Sequence, residues 1–165
     1  LQLADCLWIS RKHNVLITGP TGTGKTYLGC ALANQACRLG YNARYLRLPR
    51  LFQTLAIAKG DGSYAKVLLA LEKCQLLIID DWGLATMTEQ QRYDLLEVLD
   101  DRHNQSSTIV TSQLPVSLWH EAIGDMTLGD AILDRLIHNA HRIELKGESL
   151  RKKQNSKLEK KTNNE

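Results

Sequence analysis

The sequence predicts a three-layer α/β sandwich on a five-stranded parallel sheet, and three observations carry that reading. Strand-length and helix-spaced apolar segments alternate along most of the 165 residues, the order that right-handed crossovers between parallel strands require. The run "QLLIIDD" is continuously apolar up to its two aspartates, as expected of a parallel strand covered on both faces. Finally, "NVLITGPTGTGKTYL", starting at Asn14, passes from an apolar strand through three glycines into a helix. Such a loop aims backbone N–H groups and the positive end of the helix at one point, an arrangement that suits a phosphate.

The first strand, Val15 to Thr18, leads into Gly19, Pro20, Thr21, Gly22, Thr23, Gly24, Lys25 and Thr26, which fit the spacing G-x-x-x-x-G-K-[ST]. Gly22 and Gly24 admit backbone angles and close approaches that a Cβ would block, Lys25 would reach the β- and γ-phosphates, and the Thr26 hydroxyl would ligate Mg²⁺. Leu28, Leu32, Ala36 and Leu39 continue the helix and Gly40 stops it. "NARYLRL" is the second strand, closed by Pro49. "RLFQTLAIAK" and "SYAKVLLALEKC" follow as short helices joined at Gly60-Asp61-Gly62. After the third strand, "QLLIIDD", comes a helix over "TEQQRYDLLEVLDDRHN", with Thr88 as its N-cap and Leu95, Val98 and Leu99 on its buried face. "STIVTSQ" is the fourth strand, "LGDAILDRLIHNAH" the last helix and "HRIELKG" the fifth strand. Residues 1–150 make one domain, while 151–165 are charged, lose all apolar periodicity and read as a disordered tail.

The candidate chemistry gathers at strand ends. Asp80 and Asp81 close the third strand, at the edge where open α/β sheets bind ligands. Asp80 would hold Mg²⁺ and Asp81 would orient or deprotonate an attacking water. The fourth strand ends in Thr111-Ser112-Gln113, and a polar group there could sense the γ-phosphate, with Ser112 and Gln113 equally eligible. One strand separates the phosphate-loop strand from the Asp80 strand in sequence, which fits ATPases with an inserted strand better than simple kinases.

Composition narrows the rest. A net charge of +3 is too mild to argue for nucleic acid by itself. Cys6, Cys30, Cys37 and Cys74 lack zinc or redox spacings and read as free, mostly buried thiols. No signal peptide or membrane span is apparent, so a cytoplasmic protein without a membrane partner is expected. The start at Leu1, in mid-pattern, suggests that an N-terminal part precedes it. Trp8, Trp82 and Trp119 read as packing residues, with Trp8 also where an adenine contact would lie.

The segments "GPTGTGKTYLGCALANQA", "LLIIDDWGL", "STIVTSQLPVSLWHEAIGD", "AILDRL" and "RIELKGESLRKK" together resemble the ATPase domain of IstB-like transposition helpers, relatives of the DnaC helicase loaders in the AAA+ class. The likeness runs from about Trp8 to Lys153. It implies an AAA+ core without a helical lid domain, binding ATP and Mg²⁺ and hydrolysing ATP. It also implies assembly with copies of itself, head to tail, on double-stranded DNA, which is delivered to a partner transposase. By position, Lys25 and Thr26 are the phosphate-loop pair, Asp80 and Asp81 the metal and water carboxylates, Ser112 or Gln113 the sensor, and Arg135 the arginine finger for a neighbour's ATP. Arg151 would stand in for the missing lid arginine. The segment between the second and third strands corresponds to the insertion that initiator-type relatives turn toward DNA, with Arg47, Arg50, Lys59 and Lys66 available to phosphates. Two alternatives stay open: a DnaC-like loader whose partner is a replicative helicase, and a nucleotide-binding switch with negligible turnover.

Overall fold

A computed structural model describes residues 2–147 and Ser149; Arg151 and the rest of the charged tail lie outside the described residues. Five strands form one parallel sheet: β1 (Asn14–Thr18), β2 (Ala43–Arg47), β3 (Leu76–Trp82), β4 (Ser107–Ser112) and β5 (Ala140–Glu144), in the spatial order β2-β3-β4-β1-β5. The strand inserted between the phosphate-loop strand and the Asp80 strand is therefore β4, whereas β2, the intervening one in sequence, lies at an edge. The helices are α1 (Leu7–Ser10), α2 (Lys25–Arg38), α3 (Leu48–Asp61), α4 (Tyr64–Lys73), α5 (Glu89–Arg102), α6 (Trp119–Ile123) and α7 (Met126–Ile137).

Strand alternation divides the core in two. Val15, Ile17, Leu76, Ile78 and Ile109 face one layer, packed with Trp8, Ile9, Leu32 and Ala36 of α1 and α2. Leu16, Leu77, Ile79 and Val110 face the other, packed with α3 to α7 through Leu51, Leu55, Leu71, Leu95, Val98, Trp119 and Ile132. The three central strands are buried on both faces, which is why their sequences run apolar without alternation. The edges β2 and β5 are only half covered.

Local chemistry sets the helix starts. Thr88 caps α5 and accepts from the Gln91 N–H at 3.2 Å, while the Gln91 side chain returns a bond to the Thr88 N–H, a reciprocal cap worth about 1 kcal/mol. Asp125 caps α7 by accepting from the Leu128 N–H at 2.8 Å, so that helix begins two residues before the predicted Leu128. Two short helices were not legible: α1, and α6 with the 3₁₀ turn Val116–Leu118 before it. Both are about one turn long, too short to show a period. Their tryptophans anchor them: Trp8 donates to the Leu3 carbonyl at 2.9 Å and Trp119 to that of Leu114 at 3.0 Å. Trp8, Trp82 and Trp119 are all buried. The thiol expectation needs correction: Cys6 and Cys74 are buried, but Cys30 and Cys37, on outward positions of α2, are exposed.

Candidate functional site

At the C-terminal edge of the sheet a cavity of about 550 Å³ is lined by Thr21, Gly22, Gly24, Lys25, Thr26, Arg47, Asp80, Asp81 and Gln113, a volume suited to a small-molecule ligand. The loop reaches it because β1 stops at Thr18 and Gly24, in a left-handed conformation with φ 94°, caps α2. Gly19 cannot be replaced: a Cβ there would lie 2.5 Å from the Leu145 carbonyl oxygen. Pro20 and Thr23 turn inward on the loop, since the Pro20 carbonyl accepts from the Thr23 hydroxyl at 2.8 Å and from Lys25 Nζ at 2.9 Å. Partial burial lowers the Lys25 pKa, while Asp80 and Asp81 oppose that shift. Gly19 and Pro20 line an adjoining hollow of about 350 Å³ with Gln113, Pro115 and Leu145.

Asp80 is buried at 3% exposure and is surrounded by hydroxyls. The Thr26 hydroxyl donates to its two oxygens at 3.0 and 3.1 Å, and those of Tyr45 and Thr111 also donate to it. Burial, and then the bond to Asp80, push the Tyr45 pKa well up, so its proton stays on the donor. Among the described residues Asp80 has no cationic ion-pair partner, and no group of three or more His, Cys, Asp or Glu stands together. One carboxylate and one hydroxyl form a hard oxygen pair, which fits Mg²⁺, a cation that keeps several waters and takes further oxygens from phosphate.

Asp81 occupies a β-bulge. The β3–β4 register shifts between Ile79 and Trp82, and Asp81 has φ 63°, a left-handed conformation that Asp tolerates better than most residues. The bulge turns its carboxylate into the cavity, where Arg47 Nε pairs with it at 2.6 Å. Arg47 thus lines this cavity and is paired within the chain rather than free, and the bond with Asp81 raises its pKa.

The two sensor candidates separate. Ser112 is fully buried; its hydroxyl donates to the Trp82 carbonyl at 2.7 Å and accepts from the Leu114 N–H at 3.0 Å, holding the bulge and the following loop. Gln113, one residue past the strand, lines the cavity. Arg135 lies at the opposite edge, where its carbonyl accepts from the Asn14 side chain at 3.3 Å. The five-residue β1 puts about 16 Å between the two edges, so Arg135 cannot serve its own chain's cavity. Its guanidinium pairs with Asp100 at 3.0 Å and with Asp134 at 3.6 Å, partly exposed contacts of about 0–1 kcal/mol each.

Of the remaining expected DNA contacts, Lys59 is also engaged: it pairs with Asp94 and lies over the Tyr64 ring. Among the described residues Arg50 reaches only the neutral Gln53, at 3.0 Å, and Lys66 is exposed. Trp8 packs in the core against the far end of α2, away from the phosphate loop. Arg151 lies outside the described residues. Sequence reasoning missed Tyr45 and Thr111, although strand alternation offered a signal: Tyr45 shares a face with Ala43, Asp80 with Ile78 and Thr111 with Ile109, the face covered by α2.

A glycine phosphate loop on β1, acidic residues ending β3 and a strand inserted between the two define the AAA+ class of P-loop ATPases. Within it, the chain belongs to the IstB-like ATP binding protein family, whose model matches residues 1–158. It is 58% identical over 150 residues to an insertion sequence ATP-binding protein of Sinorhizobium fredii, covering 91% of this chain and 61% of that one. It is 35% identical over 156 residues to the insertion sequence IS21 ATP-binding protein of Pseudomonas aeruginosa, covering 94% and 59%. The chain thus spans about three fifths of the length of these relatives. Among solved structures, the DnaC helicase loader is similar with a TM-score of 0.72 at 19% identity over 87% of each chain. The replication initiator DnaA bound to AMPPCP and single-stranded DNA gives 0.73 at 17% identity over 89% of this chain and 45% of that one. At such identities the structural likeness speaks for the fold alone. No helix among the described residues is long and apolar enough to cross a membrane.

Proposed function

We propose that this chain is the ATPase domain of a transposition helper, which binds and hydrolyses ATP, assembles head to tail on double-stranded target DNA and delivers that DNA to a partner transposase. One observation carries the reading: a complete phosphate-binding and carboxylate set lines one edge of the sheet while Arg135 stands at the other. In this reading the loop amides and Lys25 hold the β- and γ-phosphates. Thr26 and Asp80 would hold Mg²⁺, which when bound would neutralise charge on the phosphate oxygens. Asp81 orients the attacking water and takes its proton as the bond between the γ-phosphorus and the ADP oxygen breaks. Gln113 contacts the γ-phosphate. The adjoining hollow, with Pro20, Pro115 and Leu145, takes the base. A neighbouring copy supplies Arg135, whose planar fork spans two phosphate oxygens.

Relatives named as insertion sequence proteins favour a transposase over a helicase as the partner. For DNA, Arg50 and Lys66 replace the original set of four, because Arg47 and Lys59 are paired within the chain. The test is ATP hydrolysis by the whole protein with and without duplex DNA, together with DNA affinity at several salt concentrations. Hydrolysis should be stimulated by DNA, and Arg50→Ala with Lys66→Ala should lower the salt slope by roughly 2, about one per lost phosphate contact. Absent hydrolysis with DNA present would favour a nucleotide switch, and an unchanged slope would assign both cations to solvent.

A further inference from the structure

The N-terminal edge of the sheet carries a polar cluster that the nucleotide cavity does not use. The turns after α1, α5 and α7 meet there and bring Lys12, His103, Asn104, Ser106, Arg135 and His138 around one hollow. Its volume is about 10 Å³, room for roughly one water molecule and far too little for a free nucleotide. Yet Ser106, which lines it, is only 7% exposed, and its hydroxyl has no hydrogen-bond partner among the described residues. Buried hydroxyls are rarely left unpaired, and a hollow of this size suits one bridging water at Ser106, which leaves the cations at its rim to be explained.

Helix ends and ion pairs account for part of the cluster. His103 and His138 are the C-caps of α5 and α7, and Arg135 is paired with Asp100 and Asp134. Lys12 follows α1, a helix of only four residues with little dipole to offset. It is exposed and forms no ion pair among the described residues. It follows the Arg11 cap of α1 with φ 61°, a left-handed position where glycine is the unstrained choice. Its N–H donates to the Ile9 carbonyl at 3.0 Å and the His13 N–H to that of Trp8 at 2.9 Å, which fixes the turn. A lysine is thus held at the rim in a backbone conformation that favours another residue.

We infer that Lys12 is a second trans-acting cation, entering the neighbouring copy's nucleotide site beside Arg135 and contacting its terminal phosphate. The inference rests on the head-to-tail reading of Arg135. A terminal phosphate presents three oxygens; the guanidinium fork spans two, and the ammonium, a compact point charge, takes the third.

The test measures ATP binding, and ATP hydrolysis with duplex DNA, for Lys12→Ala, Lys12→Gly, Arg135→Ala and Asp81→Asn, singly and in mixed pairs. Lys12→Ala should bind ATP normally and hydrolyse it roughly 10-fold or more slowly, the loss expected of one charge-assisted transition-state contact. Lys12→Gly relaxes the turn, so it should be at least as stable as the parent and equally slow, which excludes a folding defect. Mixed with Asp81→Asn, Lys12→Ala should recover, because an intact edge then meets an intact cavity. Mixed with Arg135→Ala it should not, because both lesions lie on one edge and no interface is whole. Normal hydrolysis by Lys12→Gly, recovery with Arg135→Ala, or no recovery with Asp81→Asn would overturn the role of Lys12. Failure of the Arg135→Ala and Asp81→Asn pair to recover would overturn the head-to-tail reading itself.

Discussion

The two edges of this sheet are built from different chemistry. At the C-terminal edge, strands end in a glycine, carboxylates, a hydroxyl and an amide: Gly19, Asp80, Asp81, Thr111 and Gln113. At the N-terminal edge, helix ends gather basic side chains and imidazoles: Lys12, Arg102 and Arg135, with His103 and His138. Arg102 shows what a purely structural cation looks like there. It is 2% exposed, and its guanidinium donates to the carbonyls of Leu71, Cys74 and Ser107 and to the Thr108 hydroxyl, tying α4 and α5 to the start of β4. Burial lowers its pKa to about 10. Arg135 and Lys12 are less enclosed and less committed. The contrast supports the proposal that one chain carries two complementary half-sites facing opposite ways, in which case a complete site needs a second copy.

The comparison breaks most sharply under substitution at each edge. Arg135→Ala should leave ATP affinity unchanged and cut hydrolysis by about 10³–10⁵, the contribution of an arginine finger; ATP titration alongside steady-state turnover separates the two. At the other edge, Lys25→Ala should lose ATP affinity itself, by about 100-fold given the loss of a charge-assisted phosphate contact, with the melting temperature of the nucleotide-free protein unchanged. Tyr45→Phe sharpens the picture within one edge. It removes one of the three hydroxyls that orient Asp80, so the Mg²⁺ concentration for half-maximal hydrolysis should rise about 10-fold, the low end of the effect of such outer partners. An unchanged Mg²⁺ dependence would make Tyr45 a mere edge-strand side chain.

The smallest expected effect belongs to the N-terminal edge. Burial, then the neighbouring His141 and Arg11, lower the His13 pKa, and its Nδ1 lies 3.0 Å from His141 Nε2. The unfolded chain therefore takes up a proton at His13 before the folded chain does. Stability should fall as pH drops below about 6.5, the ordinary histidine value. His13→Gln should flatten that fall by a few tenths of a kcal/mol in denaturant titrations, an effect scaled to a largely exposed pair. An equal slope in both proteins would mean that His13 does not couple to folding.

Most of the sheet was legible because its central strands are buried on both faces, leaving strand-length apolar runs between helical periods. The phosphate loop was legible for a related reason: few backbone tasks need three glycines before Lys-Thr. What escaped was side-chain direction. Arg47 read as a DNA contact because it borders the α3–α4 segment, yet it shares strand parity with Tyr45 and turns to Asp81. Lys59 read as a free cation because Asp94, its partner, lies 35 residues further along the chain. The bulge at Asp81 exists only through the pairing of β3 with β4, and no local residue pattern announces it. The different directions of Ser112 and Gln113 likewise depend on where β4 stops and on the Trp82 carbonyl beneath it.

The central claim, that the two edges belong to one site shared between copies, is tested most directly by mixing Arg135→Ala with Asp81→Asn in the presence of DNA and ATP. Each variant alone should be nearly inactive. In an equimolar mixture, random head-to-tail pairing leaves about a quarter of interfaces with both an intact cavity and an intact arginine, so hydrolysis should return to about that fraction of the unsubstituted rate. A mixture as inactive as either variant alone, with co-assembly established by light scattering, would contradict the claim and leave Arg135 as the ion-pair partner of Asp100 and Asp134.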